Sequence, residues 1–429
     1  MAKFHVRNFG CRSSQADGAA IEAQLTASGY SSVGEYRSAE LVVLNTCTVT
    51  ATADDELRQI VRRVNRENPE ARIVVTGCYA QRAPEEIAHL PGVSLVVGNS
   101  HKNRIADLLS APYHGEVHVG DIFEPVELEP AALYGAPGDR SRPNLKIQDG
   151  CPNRCTFCII PSVRGRSRSA RPAAVLEQVR HLSSRYPEIV LTGINLGRWG
   201  REPGMNLRRA ELVRMLLAET DVRRIRLSSV EPMDWTDDLL QLMASSDRIA
   251  RHVHAPLQSG SDTVLRRMRR KYRPQHYEHR ILLAKELMPD CAIGADVMVG
   301  FPGETEAEFR QTVSMIQRLP FTYLHIVPYS ERPGTPAADA AGQVPVAARK
   351  ERGRVLKSIA SEKNHRFRAS MQGRTLSAVT LGNAQALTSN YINVELAVPR
   401  PACQLVNLEI GALTSDGAKE RTMLPVLAS

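Results

Sequence analysis

The chain is predicted to be α/β, with an N-terminal doubly wound α/β domain, a central partial (β/α)6 barrel and a small C-terminal β-barrel. Three observations predict this. Short β-branched apolar runs alternate with polar segments of helical length up to about residue 330. At 429 residues the chain is too long for one ordinary domain. Beyond about residue 371 the pattern changes to short strands separated by turn signals.

Residues 1–115 carry four strand candidates, at Phe4–Val6, Leu41–Leu44, Ile73–Val75 and Val93–Val97. Residues 116–140, rich in Pro, Gly and acidic residues, read as a linker. In 141–370 six strand candidates recur, each followed by a helical stretch: Leu145–Ile147, Ile189–Leu191, Ile225–Leu227, His252–His254, Ile293–Val299 and Tyr323–Val327. That repeat fits an incomplete β/α barrel better than a flat sheet, and in barrels the working residues sit at the carboxyl ends of the strands. In 371–429, Thr375–Leu381, Tyr391–Ala397 and Gln404–Ile410 read as strands of a small barrel, a fold used for RNA binding or for docking.

A hydrophobic content of 42% is ample for packed cores. No apolar run approaches the length of a membrane span, and Met1 to Arg7 lacks the apolar core of a signal peptide, so a soluble, cytoplasmic protein without a membrane partner is expected. Eight cysteines grouped by metal-ligand logic fit a reducing compartment better than a disulfide framework. A net charge of +9 points to a polyanionic partner, most simply nucleic acid. The basic residues form three groups: Arg164, Arg166, Arg168 and Arg171; Arg266 to Arg273; and a helical stretch from Arg349 to Arg374. The third group also reads as a solvated face. The first follows a cysteine-rich loop directly, so Arg164, Arg166 and Arg168 are expected to hold substrate phosphates beside it.

That loop is Asp149-Gly150-Cys151-Pro152-Asn153-Arg154-Cys155-Thr156-Phe157-Cys158. Three thiolates at CxxxCxxC spacing suit zinc or an iron-sulfur cluster. Structural zinc takes four closed ligands and usually recruits them as CxxC pairs; the spacing here fits poorly and no partner CxxC exists, so zinc would need a distant His or Cys to complete its site. A cubic iron-sulfur cluster on three cysteines keeps one iron open for a ligand. Cys11, Cys47 and Cys78 each follow a short apolar run, and strands of one parallel sheet place their carboxyl ends on one edge. These three are expected to converge on a second cluster of the same kind; the alternative is three inert buried thiols. Cys291 and Cys403 read as ordinary core or surface thiols.

The CxxxCxxC run, with Phe157 before its last cysteine, resembles the radical S-adenosylmethionine (SAM) superfamily. In that superfamily the free iron is chelated by the methionine part of SAM. The barrel strand ends add Gly193 and Asn195, Ser229, Gln258 and Asp296. Glycine lets a ligand approach the backbone, and Asn, Ser, Gln and Asp can bind a ribose and an amino-acid zwitterion, although the same residues also serve turns. With Phe157 they are the expected SAM contacts.

Over nearly its whole length the chain resembles the radical SAM methylthiotransferases. The motifs are Gly10-Cys11 with Gln15, Asn45-Thr46-Cys47-Thr48-Val49-Thr50, Thr76-Gly77-Cys78-Tyr79-Ala80-Gln81-Arg82, the CxxxCxxC run and Val299-Gly300-Phe301-Pro302-Gly303-Glu304-Thr305. The tail, notably Leu387-Thr388-Ser389-Asn390-Tyr391-Ile392, is similar to the family's TRAM domain. The resemblance implies two [4Fe-4S] clusters: one on Cys151, Cys155 and Cys158 that cleaves SAM to a radical, and an auxiliary one on Cys11, Cys47 and Cys78 that carries the sulfur. It implies no catalytic side chain beyond the cluster ligands, and an electron donor such as flavodoxin or ferredoxin.

The family's branches act on isopentenyladenosine in tRNA, threonylcarbamoyladenosine in tRNA, or an aspartate of a ribosomal protein. Gly165 to Ser169, Arg226 to Pro232 and Met268 to Tyr272 look most like the threonylcarbamoyladenosine branch, while Ile160 to Gly165 is closer to the ribosomal-protein branch. Ser14 stands where the family commonly has Asn. A non-enzymatic alternative is a zinc-binding, RNA-binding protein.

Overall fold

The computed structural model describes residues 2–109, 116–124, 128 and 141–421. Most of the linker read between 116 and 140 lies outside the described residues. Its first three residues, Glu116–His118, instead add a strand to the N-terminal sheet.

That sheet comprises β1 (Lys3–Asn8), β2 (Ser31–Ser32), β3 (Leu41–Thr46), β4 (Arg72–Gly77), β5 (Val93–Gly98) and β6 (Glu116–His118), ordered β2-β1-β3-β4-β5-β6. All its pairs are parallel. The sequence runs had predicted the four central strands; the two short edge strands have no apolar signature. Every residue of β3 is buried. Its side chains alternate between two cores, with Val42 and Leu44 on one face and Leu41 and Val43 on the other. Helix α1 (Arg12–Ala27) covers the second face through Ile21 and Leu25, and α2 (Ala51–Glu67) covers the first through Leu57, Ile60, Val61 and Val64. Thr50 starts α2 by accepting a hydrogen bond from the Ala53 amide at 3.3 Å. From β1 the chain runs outward to β2 and then back across to β3. The strand order therefore reverses between β1 and β3, the place where open α/β sheets bind ligands.

The central region holds β7 (Asn144–Asp149), β8 (Arg168–Ser169), β9 (Glu188–Gly193), β10 (Arg224–Leu227), β11 (His252–His254), β12 (Ala292–Val299) and β13 (Tyr323–Pro328). One sheet runs β10-β9-β7-β8 and another β11-β12-β13. A hydrogen bond from the Ala250 amide to the Ile225 carbonyl, 2.8 Å, carries the curve from β10 toward β11. The six predicted strands all form, and an antiparallel edge strand, β8, pairs beside β7. One large core, including Leu145, Ile189, Ile225, Ile293 and Leu356, fills this region. Helix Val346–Ala369 leads into β14 (Thr375–Thr380), β15 (Gln385–Thr388), β16 (Asn393–Glu395), β17 (Leu405–Leu413) and β18 (Ala418–Glu420), which close as β14-β15-β16-β18-β17.

The terminal barrel is docked by buried charge. Glu188 is fully buried between Arg224 (2.6 Å) and Arg226 (2.8 Å), with Arg142 at 3.1 Å. Burial pushes the Glu188 carboxyl up, but the guanidinium groups prevail and hold it well below the carboxylate range. The remaining donors of Arg224 and Arg226 reach the Ser377, Leu387, Thr388 and Ser389 carbonyls of the small barrel at 3.0–3.4 Å. On the opposite side, Asp54 of α2 joins Arg82 at 3.0 Å to Arg332 beyond β13 at 2.7 Å.

Glu188→Gln leaves two buried guanidinium groups and half-buried Arg142 without a counter-charge, and the expected loss is about 3–5 kcal/mol. Urea denaturation of the full chain measures it; a loss below about 1 kcal/mol would contradict this account of docking.

Candidate active site between two cysteine triads

The strand register gathers the first triad. Asn8 pairs with Asn45 and Thr46 with Gly77, so the carboxyl ends of β1, β3 and β4 lie side by side at the switch point. Cys11 precedes α1, Cys47 follows β3 directly, and Cys78 opens a short helix, α3 (Cys78–Arg82). Gly10 makes the approach possible. Its φ is +95°, and a Cβ there would stand 2.7 Å from the Cys47 Cβ and 3.0 Å from its Sγ.

The sulfurs face hydrogen-bond donors. Cys78 Sγ accepts from Arg164 Nε at 3.3 Å and Asn99 Nδ2 at 3.6 Å, and the Ser14 hydroxyl lies 3.8 Å from Cys11 Sγ. Ser14 also accepts from Arg164 Nη2 at 3.4 Å, so the hydroxyl that replaces the family's usual Asn sits against the triad. Burial, with Cys78 nearby, pushes the Cys47 thiol up to about 12.

The second triad is built on the loop after β7. Gly150, at φ +74°, lets the backbone turn where a Cβ would stand 1.9 Å from the Arg166 carbonyl oxygen. Asn195 Nδ2 donates to Cys151 Sγ at 3.5 Å and Arg270 Nη1 to Cys155 Sγ at 3.3 Å. Arg270 is in turn held by Glu231 at 2.6 Å. The loop is pinned by the Thr156 amide to the Met268 carbonyl at 3.2 Å and by Thr156 Oγ1 to the Arg267 carbonyl at 3.0 Å. Burial pushes the Cys158 thiol up to about 12.

Both triads fit thiolate ligands of a metal cluster. Donors and guanidinium groups aimed at sulfur suit an anion, and burial makes a bare thiolate costly, so a cluster's positive charge would take the place of the thiol protons. Among the described residues, the ligand atoms of His254, Asp296 and His325 lie within 4.8 Å of one another.

Two cavities open beside the triads and share Asp296. One, of about 250 Å³, is lined by Cys158, Phe157, Gln258 and Asp296 together with Val49 and Thr50 of the N-terminal region. The other, of about 310 Å³, is lined by Cys11, Arg12, Gly193, Ser229, Asp296 and Tyr391, with His252, His254, Tyr323 and His325 on one wall. Of the expected SAM contacts, Phe157, Gln258 and Asp296 border the first cavity and Gly193, Ser229 and Asp296 the second. Asn195 instead contacts the cluster loop, with its amide N–H on Gln148 Oε1 at 2.7 Å. Buried Asn195 Oδ1, Ser228 Oγ and Asn153 Oδ1 have no hydrogen-bond partner among the described residues, a set that a polar ligand such as SAM would satisfy.

Sequence reasoning missed the His–Tyr wall. Asp296 accepts from His325 Nδ1 at 3.0 Å and lies 3.2 Å from His254 Nε2, and Tyr323 Oη lies 2.7 Å from His252 and 2.9 Å from His254. Burial pushes the Asp296 carboxyl up, but the two histidines outweigh it and hold the group well below its ordinary range. The alternation His252, His254 across β11 was the available signal, obscured because both were read only as strand residues.

The expectation for Arg164 is corrected. The side chain is buried, with Nη2 at 2.9 Å from Asp17 and Nη1 at 3.1 Å from Asp149, so no phosphate reaches it. Lys146 pairs with the same two carboxylates, and Lys102 pairs with Asp17 at 2.6 Å. Arg168 is half-buried and donates to the Arg164 carbonyl at 3.2 Å; only Arg166 of the three is exposed. The other basic groups are partly structural too, since Arg270, Arg349, Arg352 and Arg368 are buried.

Comparison with known proteins adds the lineage. A family model described as the radical SAM superfamily matches residues 145–316, and one described as uncharacterized protein family UPF0004 matches residues 3–98. The threonylcarbamoyladenosine tRNA methylthiotransferase MtaB of Aquifex aeolicus is 38% identical over 399 residues, 92% of this chain and 96% of that protein. The protein of the same name from Bacillus subtilis is 41% identical over 360 residues, 82% of this chain and 79% of that one. A tRNA-2-methylthio-N(6)-dimethylallyladenosine synthase of a Parafrankia species is 36% identical over 381 residues, 88% and 77% of the two chains. Among solved structures, the radical SAM methyltransferase TsrM from Kitasatospora setae shares the fold, with a TM-score of 0.56 at 17% identity over 79% of this chain and 77% of that one. Fold and cysteine loop define a radical SAM enzyme. The chain belongs to the radical SAM methylthiotransferase family.

Burial pushes the Asp17 carboxyl up, but Lys102, Lys146 and Arg164 outweigh it and hold it below its ordinary 3.8. Its contribution to stability is therefore present above about pH 4 and lost as pH falls through the lowered folded value. Below pH 4, unfolding free energy should fall more steeply for the wild type than for Asp17→Asn, by up to about 1.4 kcal/mol per pH unit. Matching slopes in acid urea titrations would contradict the assignment.

Proposed function

We propose that the protein methylthiolates N6-threonylcarbamoyladenosine beside the anticodon of tRNA, at ring carbon 2, in the cytoplasm. One observation carries the reading most: a single cavity is bordered by Cys11 of the N-terminal domain, Ser229 and Asp296 of the central barrel, and Tyr391 of the small barrel. A base extruded from an RNA loop into that cavity would lie beside Cys11 and against Asp296, which also lines the cavity next to Cys158. The relatives named for threonylcarbamoyladenosine align over most of this chain and most of their own length.

Cys151, Cys155 and Cys158 would hold one [4Fe-4S] cluster, and Cys11, Cys47 and Cys78 a second. When bound, such clusters supply the electron that cleaves SAM and the sulfur that is transferred, with flavodoxin or ferredoxin as the electron source. The chain's own part is placement. Asn195 and Arg270 donate to Cys151 and Cys155, fixing the loop's orientation. Gly193 leaves room for a ligand against the backbone, and Ser229, Gln258 and Asp296 are the polar groups at hand for the SAM ribose and amino acid. Holding both reactants at one cavity converts a bimolecular encounter into a positioned one. Outside the cavity, exposed Arg166 with Arg168 beside it offers charge to the RNA backbone. No described helix is long and apolar enough to cross a membrane.

Mass spectrometry of tRNA nucleosides from a strain lacking the gene tests the reading. The methylthio form of threonylcarbamoyladenosine should vanish and its precursor accumulate, with restoration by the wild-type gene. Neither Cys155→Ala nor Cys47→Ala should restore it, but purified Cys47→Ala should still cleave SAM and Cys155→Ala should not. An unchanged threonylcarbamoyladenosine profile with loss of methylthio-isopentenyladenosine would reassign the substrate.

A further inference from the structure

Arg12 follows Cys11 directly and borders two cavities, the one beside Cys11 that Asp296 and Tyr391 also line and an adjoining one of about 350 Å³ with Gln15, Arg142 and Asn144. Among the described residues, the only carboxylate lining either cavity is Asp296, which is already bracketed by His254 and His325. Arg142 has Glu188 as its counter-charge. Among the described residues, Arg12 is thus the cavity's cation with no acid beside it.

Its guanidinium is nevertheless positioned. Nη2 donates to Tyr391 Oη at 2.8 Å and the group lies over that ring, 5.8 Å from its centre. Tyr391 is itself fixed: it stacks on His252 with ring centres 4.4 Å apart, and its backbone sits at φ +68°, a conformation that a bulky residue adopts at a cost. A guanidinium offers five N–H donors in a planar fork, and one bond to a phenol leaves an edge for a carboxylate.

We propose that Arg12 receives the carboxylate of the substrate's threonylcarbamoyl group, and that Tyr391 of the small barrel is a positioning residue for it. The proposal rests on threonylcarbamoyladenosine being the substrate. It supplies a physical basis for choosing that base over one with a hydrocarbon substituent at the same nitrogen. A cation aimed at a carboxylate is left unpaired by a dimethylallyl chain, and an unpaired polar group in a site penalises the wrong ligand strongly.

The probes are anticodon stem-loop RNAs carrying threonylcarbamoyladenosine, either as the free acid or as its methyl ester, and the unmodified RNA. Binding to the cluster-loaded enzyme is read by fluorescence anisotropy, and methylthiolation by mass spectrometry. Wild type should bind the acid about tenfold or more tighter than the ester. Arg12→Gln should lose that preference, and Arg12→Lys should recover part of it. Equal binding of acid and ester by the wild type, with both methylthiolated, would overturn the role of Arg12 while leaving the substrate reading in place. Retention of the preference by Arg12→Gln would do the same. If the wild type neither distinguishes modified from unmodified RNA nor converts it, the substrate reading falls and the proposal with it.

Discussion

Arg164 is a guanidinium sealed between two domains. It holds Asp17 of the N-terminal sheet domain and Asp149 of the central barrel, and its Nε reaches Cys78 Sγ. Asp149 stands two residues before Cys151, and its carboxylate accepts the Gly150 amide at 2.9 Å. One side chain therefore touches a cysteine of the first triad and the base of the loop that bears the second. A buried charge cluster is costly to assemble and costlier to break, since removing one member strands the others in a medium that solvates them poorly. The relative placement of the triads depends on this cluster, with Lys102 and Lys146 completing the charge balance around Asp17.

Two further interdomain contacts use the same device. Glu188 balances the arginines that grip the small barrel, and Asp54 is shared by Arg82 and Arg332. Each places a carboxylate inside the protein beside guanidinium groups, of which Arg224, Arg226 and Arg332 also donate to backbone carbonyls of the neighbouring domain. Apolar contact alone would hold the domains together without fixing their orientation. Directional, charge-assisted hydrogen bonds fix it, which a site assembled from three domains requires. Tyr391 is the product of that orientation: docking through Arg226 brings a ring of the small barrel to the wall of the central cavity, with the Arg226 guanidinium 5.4 Å from the ring centre.

Much of this was legible in the sequence. The apolar runs before Cys11, Cys47 and Cys78 located three strand ends that parallel pairing allows to converge, and the adjacency of β1, β3 and β4 brings them to one sheet edge. Most of the central strands could be read because a short apolar run is followed by a polar or glycine-bearing carboxyl end. Edge strands such as Ser31–Ser32 and Arg168–Ser169 were not legible, because so few residues leave no periodicity. The basic residues misled for a different reason. Arg164, Arg270 and Arg352 occupy runs that look like a phosphate-binding surface, and their carboxylate partners lie 147, 39 and 48 positions away in the chain, at Asp17, Glu231 and Glu304. Charge pairing over such distances has no signature in a single sequence. The His–Tyr wall was missed similarly, since β11 and β13 become neighbours only through β12.

The clamp at Arg164 is tested most directly by a double-mutant cycle in urea, comparing Asp17→Asn, Arg164→Met and the double variant of the full chain. Each single change should destabilise strongly, and the double variant should recover part of the loss, with a coupling energy of about 1–3 kcal/mol. Additive effects, with coupling near zero, would mean that Asp17 and Arg164 do not act together and that the triads are held in place by something else.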